Sequence, residues 1–250
     1  MKYDLIAPTS MGIRLTPMER QPVGVGNQFI MYATSAESNV LNVSASLGLS
    51  ARALTGFVKG SPIAAFIKGE LRRRNISYEG PEIEQGGPWG YRHQINIADA
   101  GFGARGPRVH NDRAGEVGRV LKAEDFDLER LFRQDGVRMM HLSGLFAALS
   151  SQTAQLCVKM AEMAKENGTL VSFDLNHRAS FWEGREEELH KAFTRIASLA
   201  DILIGNEEDY QLALGIHGPE AGGQEIGDKM DEFKRMIESA RKAFPHVKVF

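Results

Sequence analysis

From residue 139 onward, short apolar runs alternate with longer stretches whose apolar positions recur at helical spacing. The first kind suits buried strands and the second amphipathic helices, so the alternation predicts a parallel sheet joined by crossover helices. The strands fall at Met139-Met140-His141-Leu142, Leu170 to Leu175, Asp201 to Ile204 and Val247 to Phe250. Between them, Thr153 to Asn167 sets Leu156, Met160, Met163 and Ala164 on one helical face, and Gly168 follows where a helix favours glycine just past its end. Arg185 to Leu199 and Glu225 to Phe244 have the same character.

The N-terminal part repeats this grammar with a strand at Tyr3 to Ala7, and with a helix at Asn39 to Leu49 followed by a strand-like Ala51 to Val58. Elsewhere it is interrupted. Residues 11–33 and 86–113 are irregular and punctuated by Gly and Pro, with short alternating runs at Gln28 to Tyr32, Arg92 to Ile97 and Arg108 to His110. Strands inserted in this way predict a small separate sheet that lids a site on the main one. The expected fold is therefore α/β: a mainly parallel sheet flanked by helices on both faces with a small β-sheet lid, in one domain spanning 1–250. Apolar lid side chains such as Ile30 and Ile95 need cover, which predicts a homodimer formed lid to lid. The run Val247 to Phe250 has no helix after it to cover it, which predicts that the parent protein continues further.

Composition narrows the partners. The 250 residues are 42% hydrophobic and 25% charged, as expected of a soluble globular chain with a sizeable core. The net charge of -2 leaves no basic excess to hold nucleic acid or an anionic membrane. No apolar run reaches the ~18 residues of a membrane span, and Met1-Lys2-Tyr3-Asp4 opens into a strand rather than a secretion signal. The single cysteine, Cys157, excludes an intrachain disulfide and fits a reducing compartment, so the cytoplasm is expected. The seven histidines form neither H-x-H nor H-E-x-x-H, and no metal held by protein side chains alone is expected.

Gly101-Phe102-Gly103-Ala104-Arg105-Gly106 satisfies G-x-G-x-x-G, but the extended Pro107-Arg108-Val109-His110 follows where a dinucleotide fingerprint needs a helix, so a hairpin-like loop is expected. Ser143-Gly144-Leu145 lacks the second glycine position of a nucleophile elbow. Strand ends carry more chemistry, because ligands of open α/β sheets bind beyond the carboxyl ends of the strands. Asp174-Leu175-Asn176-His177-Arg178 sits at such an end, and its donors and acceptors suit a sugar acid whose carboxylate Arg178 could take bidentately; a solvated loop capped by Asp174 is the alternative. Gly205-Asn206-Glu207-Glu208-Asp209 reads as a capped helix start, or as carboxylates that hold Mg2+ through water beside an amide that reaches a nucleotide phosphate. In Ala33 to Val40, small and polar residues lead into a helix whose start could bind polar ligand atoms, unless Ser35 or Ser38 is simply its cap.

These segments together resemble the ribokinase-like (PfkB) carbohydrate kinase family, most closely its 2-keto-3-deoxygluconate kinase branch. The matching residues are Ala36-Glu37-Ser38-Asn39-Val40 with Leu47-Gly48, Asp112-Arg113, His141-Leu142-Ser143-Gly144, Ser172 to Arg178 with Phe181-Trp182, and Asn206-Glu207-Glu208. The resemblance implies an ATP-dependent kinase of a small sugar or sugar acid that uses Mg2+. It implies substrate contacts at Ser35, Asn39, Arg92, Asn111, Arg113, Asn176 and Arg178, and a nucleotide and Mg2+ side at Asn206, Glu208 and Asp209. The family's paired glycines are Thr34 and Ser35 here, its tyrosine two residues before Arg113 is Asn111, Arg92 stands where an aromatic substrate contact is expected, and Asp209 is one methylene shorter than the family's residue. These departures leave open a catalytically inactive sugar-binding or regulatory module, or a kinase for another sugar, a polyol or a nucleoside. The family's Gly-Ala-Gly-Asp type motif, with its anion hole and catalytic Asp, is absent from residues 1–250 and is expected beyond Phe250; the late pair Gly222-Gly223 is followed by Gln224-Glu225, which would repel a phosphate.

Overall fold

A computed structural model describes residues 1–219 and 229–250. The Gly222-Gly223 pair and the expected helix start at Glu225 lie outside the described residues. Packing divides the chain into a first unit, Met1–Ile6 with Lys122–Phe250, and a second, Ala7–Leu121.

Strand β1 (Tyr3–Pro8) opens the chain, with Leu5, Ile6 and Ala7 all buried, as in a strand covered on both faces. In the second unit follow β2 (Gly12–Pro17), β3 (Phe29–Thr34), α1 (Ala36–Ser46), β4 (Ala51–Leu54), β5 (Phe57–Val58), α2 (Pro62–Arg73), β6 (Ile76–Glu79), β7 (Glu82–Ile83), β8 (Ile95–Asp99) and β9 (Arg108–Asp112). β4 and β6 are parallel and α2 is their crossover. Thr9, just past β1, donates its amide to Leu54 at 2.9 Å. Helix α2 was not among the expected elements. Ser61 caps it, Pro62 occupies its first turn, and Ala64, Ile67 and Leu71 form its buried stripe. β2, β3, β8 and β9 make a separate four-stranded mixed sheet in the order β3-β2-β8-β9, and β5 pairs with β7.

The first unit continues with β10 (Val137–Ser143), α3 (Gly144–Ala147), α4 (Ser151–Glu166), β11 (Leu170–Asp174), α5 (Ala179–Trp182), α6 (Glu186–Ala197), β12 (Ile202–Ile204), α7 (Glu207–Leu214) and α8 (Met230–Ala243). β1 pairs with β10, β10 with β11, and β11 with β12, all in parallel. Through β1 the main sheet has six strands, in the order β12-β11-β10-β1-β4-β6, flanked by helices. Met140, Leu142, Val171 and Phe173 from the strands meet Cys157, Met160 and Phe193 from α4 and α6 in a fully buried core. Each such side chain contributes about 1.5–3 kcal/mol by leaving water. The α4 helix ends as its sequence implies, with Gly168 just past it at φ 71°. Among the described residues no helix is long and apolar enough to cross a membrane.

Several boundaries differ from expectation. The helix expected at Asn39 begins at Ala36, because Ser35 caps it. The run Ala51 to Val58 breaks into β4 and β5 around Thr55-Gly56. Asp201 lies before β12, where its carboxylate accepts the Val171 amide at 3.0 Å and pairs with Lys165. Val247 to Phe250 is not a strand: only Val249 bridges to Ile202, since β12 is three residues long and offers one edge for so short a pairing. The small sheet also separates Ile30 from Ile95. Ile13 pairs with Ile95 whereas Thr16 pairs with Ile30, so the two isoleucines lie on opposite faces.

Candidate functional site

In the second unit, β3 runs into α1 at Ser35. The Ser35 hydroxyl accepts the Ser38 amide at 2.9 Å, and the Ser38 hydroxyl accepts the Ser35 amide at 3.0 Å, a reciprocal capping box. The Thr9 hydroxyl donates to the buried Glu37 carboxylate at 2.6 Å and lies 2.8 Å from Ser35 Oγ. Ser35 is thus buried and its hydroxyl is engaged by its own helix start. Asn39, on the next turn, is exposed and holds no side-chain hydrogen bond among the described residues.

The other expected residues of this unit gather near the end of β9. Arg92 reaches Asp112 at 2.5 Å and the Ala114 carbonyl at 2.7 Å, so it braces the turn after the strand. The Ala114 amide, with help from Arg92, holds the Asp112 carboxyl below the usual range. Arg113 Nη1 donates to both carboxylate oxygens of the buried Glu116 at 2.8 and 2.9 Å, and Glu116 also accepts the Ser10 hydroxyl. Asn111 is exposed on β9.

In the first unit, β11 ends at Asp174, whose carboxylate accepts the Asn176 amide at 3.2 Å, the local turn that lets Asn176 adopt φ 37°. Burial, and then the Asp209 charge, push the Asp174 carboxyl up. Asn176 Nδ2 donates to Ser143 Oγ at 3.1 Å. Asp209 is buried and accepts two amides, from His177 at 2.9 Å and from Asn206 at 3.1 Å, while Asn206 Oδ1 accepts the Asp209 amide at 2.8 Å. The start of α7 is thereby tied to the loop after β11. His177 packs on Trp182 with ring centres 4.8 Å apart. Burial lowers the His177 pKa, while the charges of Asp209 and Glu208 oppose that shift. Arg178 is exposed and donates to the His177 carbonyl at 2.6 Å; Glu208 is exposed at the first turn of α7.

No family model matches the chain. A 2-dehydro-3-deoxygalactonokinase from Haloferax volcanii is 24% identical over 232 residues, covering 91% of this chain and 69% of the relative. The solved structure of a 2-dehydro-3-deoxygluconokinase from Thermotoga maritima superposes with a TM-score of 0.83 at 27% identity, over 98% of this chain and 69% of that one. A PfkB family carbohydrate kinase from Listeria grayi shares the fold with a TM-score of 0.79 at 22% identity, over the same 98% and 69%. In sequence and in fold the chain is similar to these sugar kinases of the ribokinase-like (PfkB) type.

Set among these kinases, the site residues fall into two classes. Ser35, Asp209 and Arg113 are engaged by backbone amides or a buried carboxylate, whereas Asn39, Asn111, Arg178 and Glu208 present polar groups to solvent. Glu208 suits a carboxylate that holds a hydrated Mg2+, and Asn206 keeps its amide nitrogen as a donor once Oδ1 is engaged by Asp209. Among the described residues no group of three His, Cys, Asp or Glu could hold a metal ion alone. The glycine-rich segment Gly101 to Gly106 is the β8 to β9 hairpin loop, with Gly101 and Gly103 at φ 72° and 57° and Phe102 bridged to Arg105. Asp99 at its base accepts the Gly101 amide at 2.9 Å and pairs with Arg105. The supports that sequence reasoning missed are Thr9 and Glu116. They come from just past β1 and from beyond β9, and their signal is only a polar residue near a strand end.

Proposed function

We propose that the protein phosphorylates a hydroxyl of a small sugar acid from ATP with Mg2+, with 2-keto-3-deoxygluconate as the leading substrate. The observation that carries this reading is the likeness, along nearly the whole chain, to the structure of a 2-dehydro-3-deoxygluconokinase. In the reaction the substrate oxygen attacks the γ-phosphorus, the bond to the β-phosphate oxygen breaks, ADP leaves, and the hydroxyl proton passes to a base. Such transfer depends on positioning and on charge stabilisation. On this reading, in the first unit Arg178 and Asn176 bind substrate oxygens while Glu208 and Asn206 serve the Mg2+ and phosphate side, and in the second unit Asn39 binds a hydroxyl. The relative named 2-dehydro-3-deoxygalactonokinase supports 2-dehydro-3-deoxygalactonate, the C4 epimer of 2-keto-3-deoxygluconate, as a second candidate substrate. The proposal includes a cytoplasmic protein and a homodimer through the four-stranded sheet, supported by the exposed Phe29 on the face that carries Ile95.

An ATP-turnover screen of the full gene product against sugar acids, hexoses, polyols and nucleosides tests the reading. Sugar acids should turn over best, and Arg178→Lys should raise their KM by an amount equivalent to about 1.5–3 kcal/mol, since lysine keeps the charge but loses the fork. Binding of sugar acids without turnover of any compound would favour the inactive module, which Thr34, Ser35 and Asn111 already support.

A further inference from the structure

The four-stranded sheet carries an unassigned polar row. Strand register sets Arg14 opposite Tyr32 on β3 and opposite Asn96 on β8, and Asn96 opposite Asn111 on β9. Side chains alternate between faces along a strand, so Tyr32, Arg14, Asn96 and Asn111 stand in one line on one face. That face carries Ile30, Tyr32 and Thr34 of β3, Gly12, Arg14 and Thr16 of β2, Asn96 and Ala98 of β8, and Val109 and Asn111 of β9, and none of these is a carboxylate. Arg14 is exposed and makes no ion pair or hydrogen bond among the described residues. The opposite face differs: there Asp99 pairs with Arg105 and Asp112 with Arg92.

A second observation points to a ligand. Asn96 is 7% exposed and its Oδ1 is buried without a hydrogen-bond partner; Gln94, one step before the strand, has Oε1 in the same condition at 1% exposure. Buried amides left unpaired are costly and rare, so this face holds polar capacity that the fold itself does not satisfy. An unpaired guanidinium beside unpaired amides matches a polyhydroxy carboxylic acid, with a bidentate partner for the carboxylate and amides for adjacent hydroxyls.

We propose that Arg14 is a specificity-determining residue that binds the carboxylate of a sugar acid, with Asn96 and Asn111 on its hydroxyls, so that this face selects acids over neutral sugars. The inference rests on the sugar-acid reading above. It is tested by calorimetric binding of D-gluconate and of its uncharged counterpart D-glucitol to the wild-type protein, Arg14→Ala, Arg14→Lys and Asn96→Ala. Wild type should prefer gluconate. Arg14→Ala should weaken gluconate by about tenfold or more and leave glucitol unchanged, Arg14→Lys should recover part of the loss, and Asn96→Ala should weaken both probes alike. Equal binding of the two probes by wild type, no binding of either, or gluconate affinity unchanged in Arg14→Ala would overturn it. Arg14 is exposed, so its variants should fold, which melting curves check. The ATP-turnover screen separates this inference from the kinase reading. Sugar-acid turnover with a KM indifferent to Arg14→Ala sinks the assignment of Arg14 alone. Arg14-dependent acid binding without turnover of any compound sinks the kinase alone.

Discussion

The helix starts at Ser35 and Asn206 use the same device with different reach. Each is a reciprocal capping box in which residue and third neighbour exchange side-chain and backbone bonds. At α1 the box is closed by two hydroxyls. At α7 its third member is a carboxylate, so one oxygen of Asp209 completes the box while the other takes the His177 amide from the loop after β11. One box fixes a helix end; the other also fixes a loop that carries Asn176 and Arg178. A residue type that suits ligand binding is thus engaged by the fold at both helix starts, and the groups left for a ligand are the unpaired ones beside it.

The sharpest way to break this comparison is Asp209→Ala. It removes the acceptor of two backbone amides at a buried position and half of the α7 box, and should cost about 3 kcal/mol of stability. Urea denaturation checks the magnitude. A loss no larger than a simple cap's would mean that the tie to His177 contributes nothing.

A second, smaller effect probes the interior of the unit that Asp209 braces. Burial pushes the His141 pKa down to about 4, and its Nδ1 lies 3.1 Å from the Ser172 hydroxyl. The unfolded imidazole titrates near 6.5, so the unfolded chain binds the proton first as pH falls. His141's contribution is complete above about 6.5 and is lost progressively toward pH 4. Between pH 7 and pH 5 this should cost about 2 kcal/mol, read from denaturation curves at both values. In His141→Gln the pH dependence should shrink by that amount; an undiminished slope would place the acid sensitivity elsewhere.

Much of the main sheet was legible because its signals are local. The stripe Leu156, Met160, Met163 with Gly168 after it names a helix and its end without reference to anything distant. Helix α2 carries local signals too, in Ser61-Pro62 and the Ile67 and Leu71 spacing, but it falls between an apolar run and an irregular one that obscure it. What could not be read depends on partners far along the chain. Whether Ser35 or a later residue caps α1 is settled with Thr9, which arrives from β1. The extent of pairing at Val249 depends on the shortness of β12. Arg14 shows no pattern of its own; only the pairing of β2 with β8 sets it beside Asn96.

The smallest effect tests the lesser box directly. Ser35→Ala leaves the Ser38 amide without its acceptor, but Thr9 still has Glu37 to donate to, and no loop hangs from the cap. The loss should be about 1 kcal/mol, equivalent to a melting shift of about 2–4 °C for a chain of this size. Ser35→Asn keeps an acceptor oxygen at the cap and should recover most of it. The order matters more than either value. If Ser35→Ala proves as costly as Asp209→Ala, the second arm of Asp209 is not what separates the two helix starts, and the burial of Glu37 against Thr9 becomes the stronger support of α1.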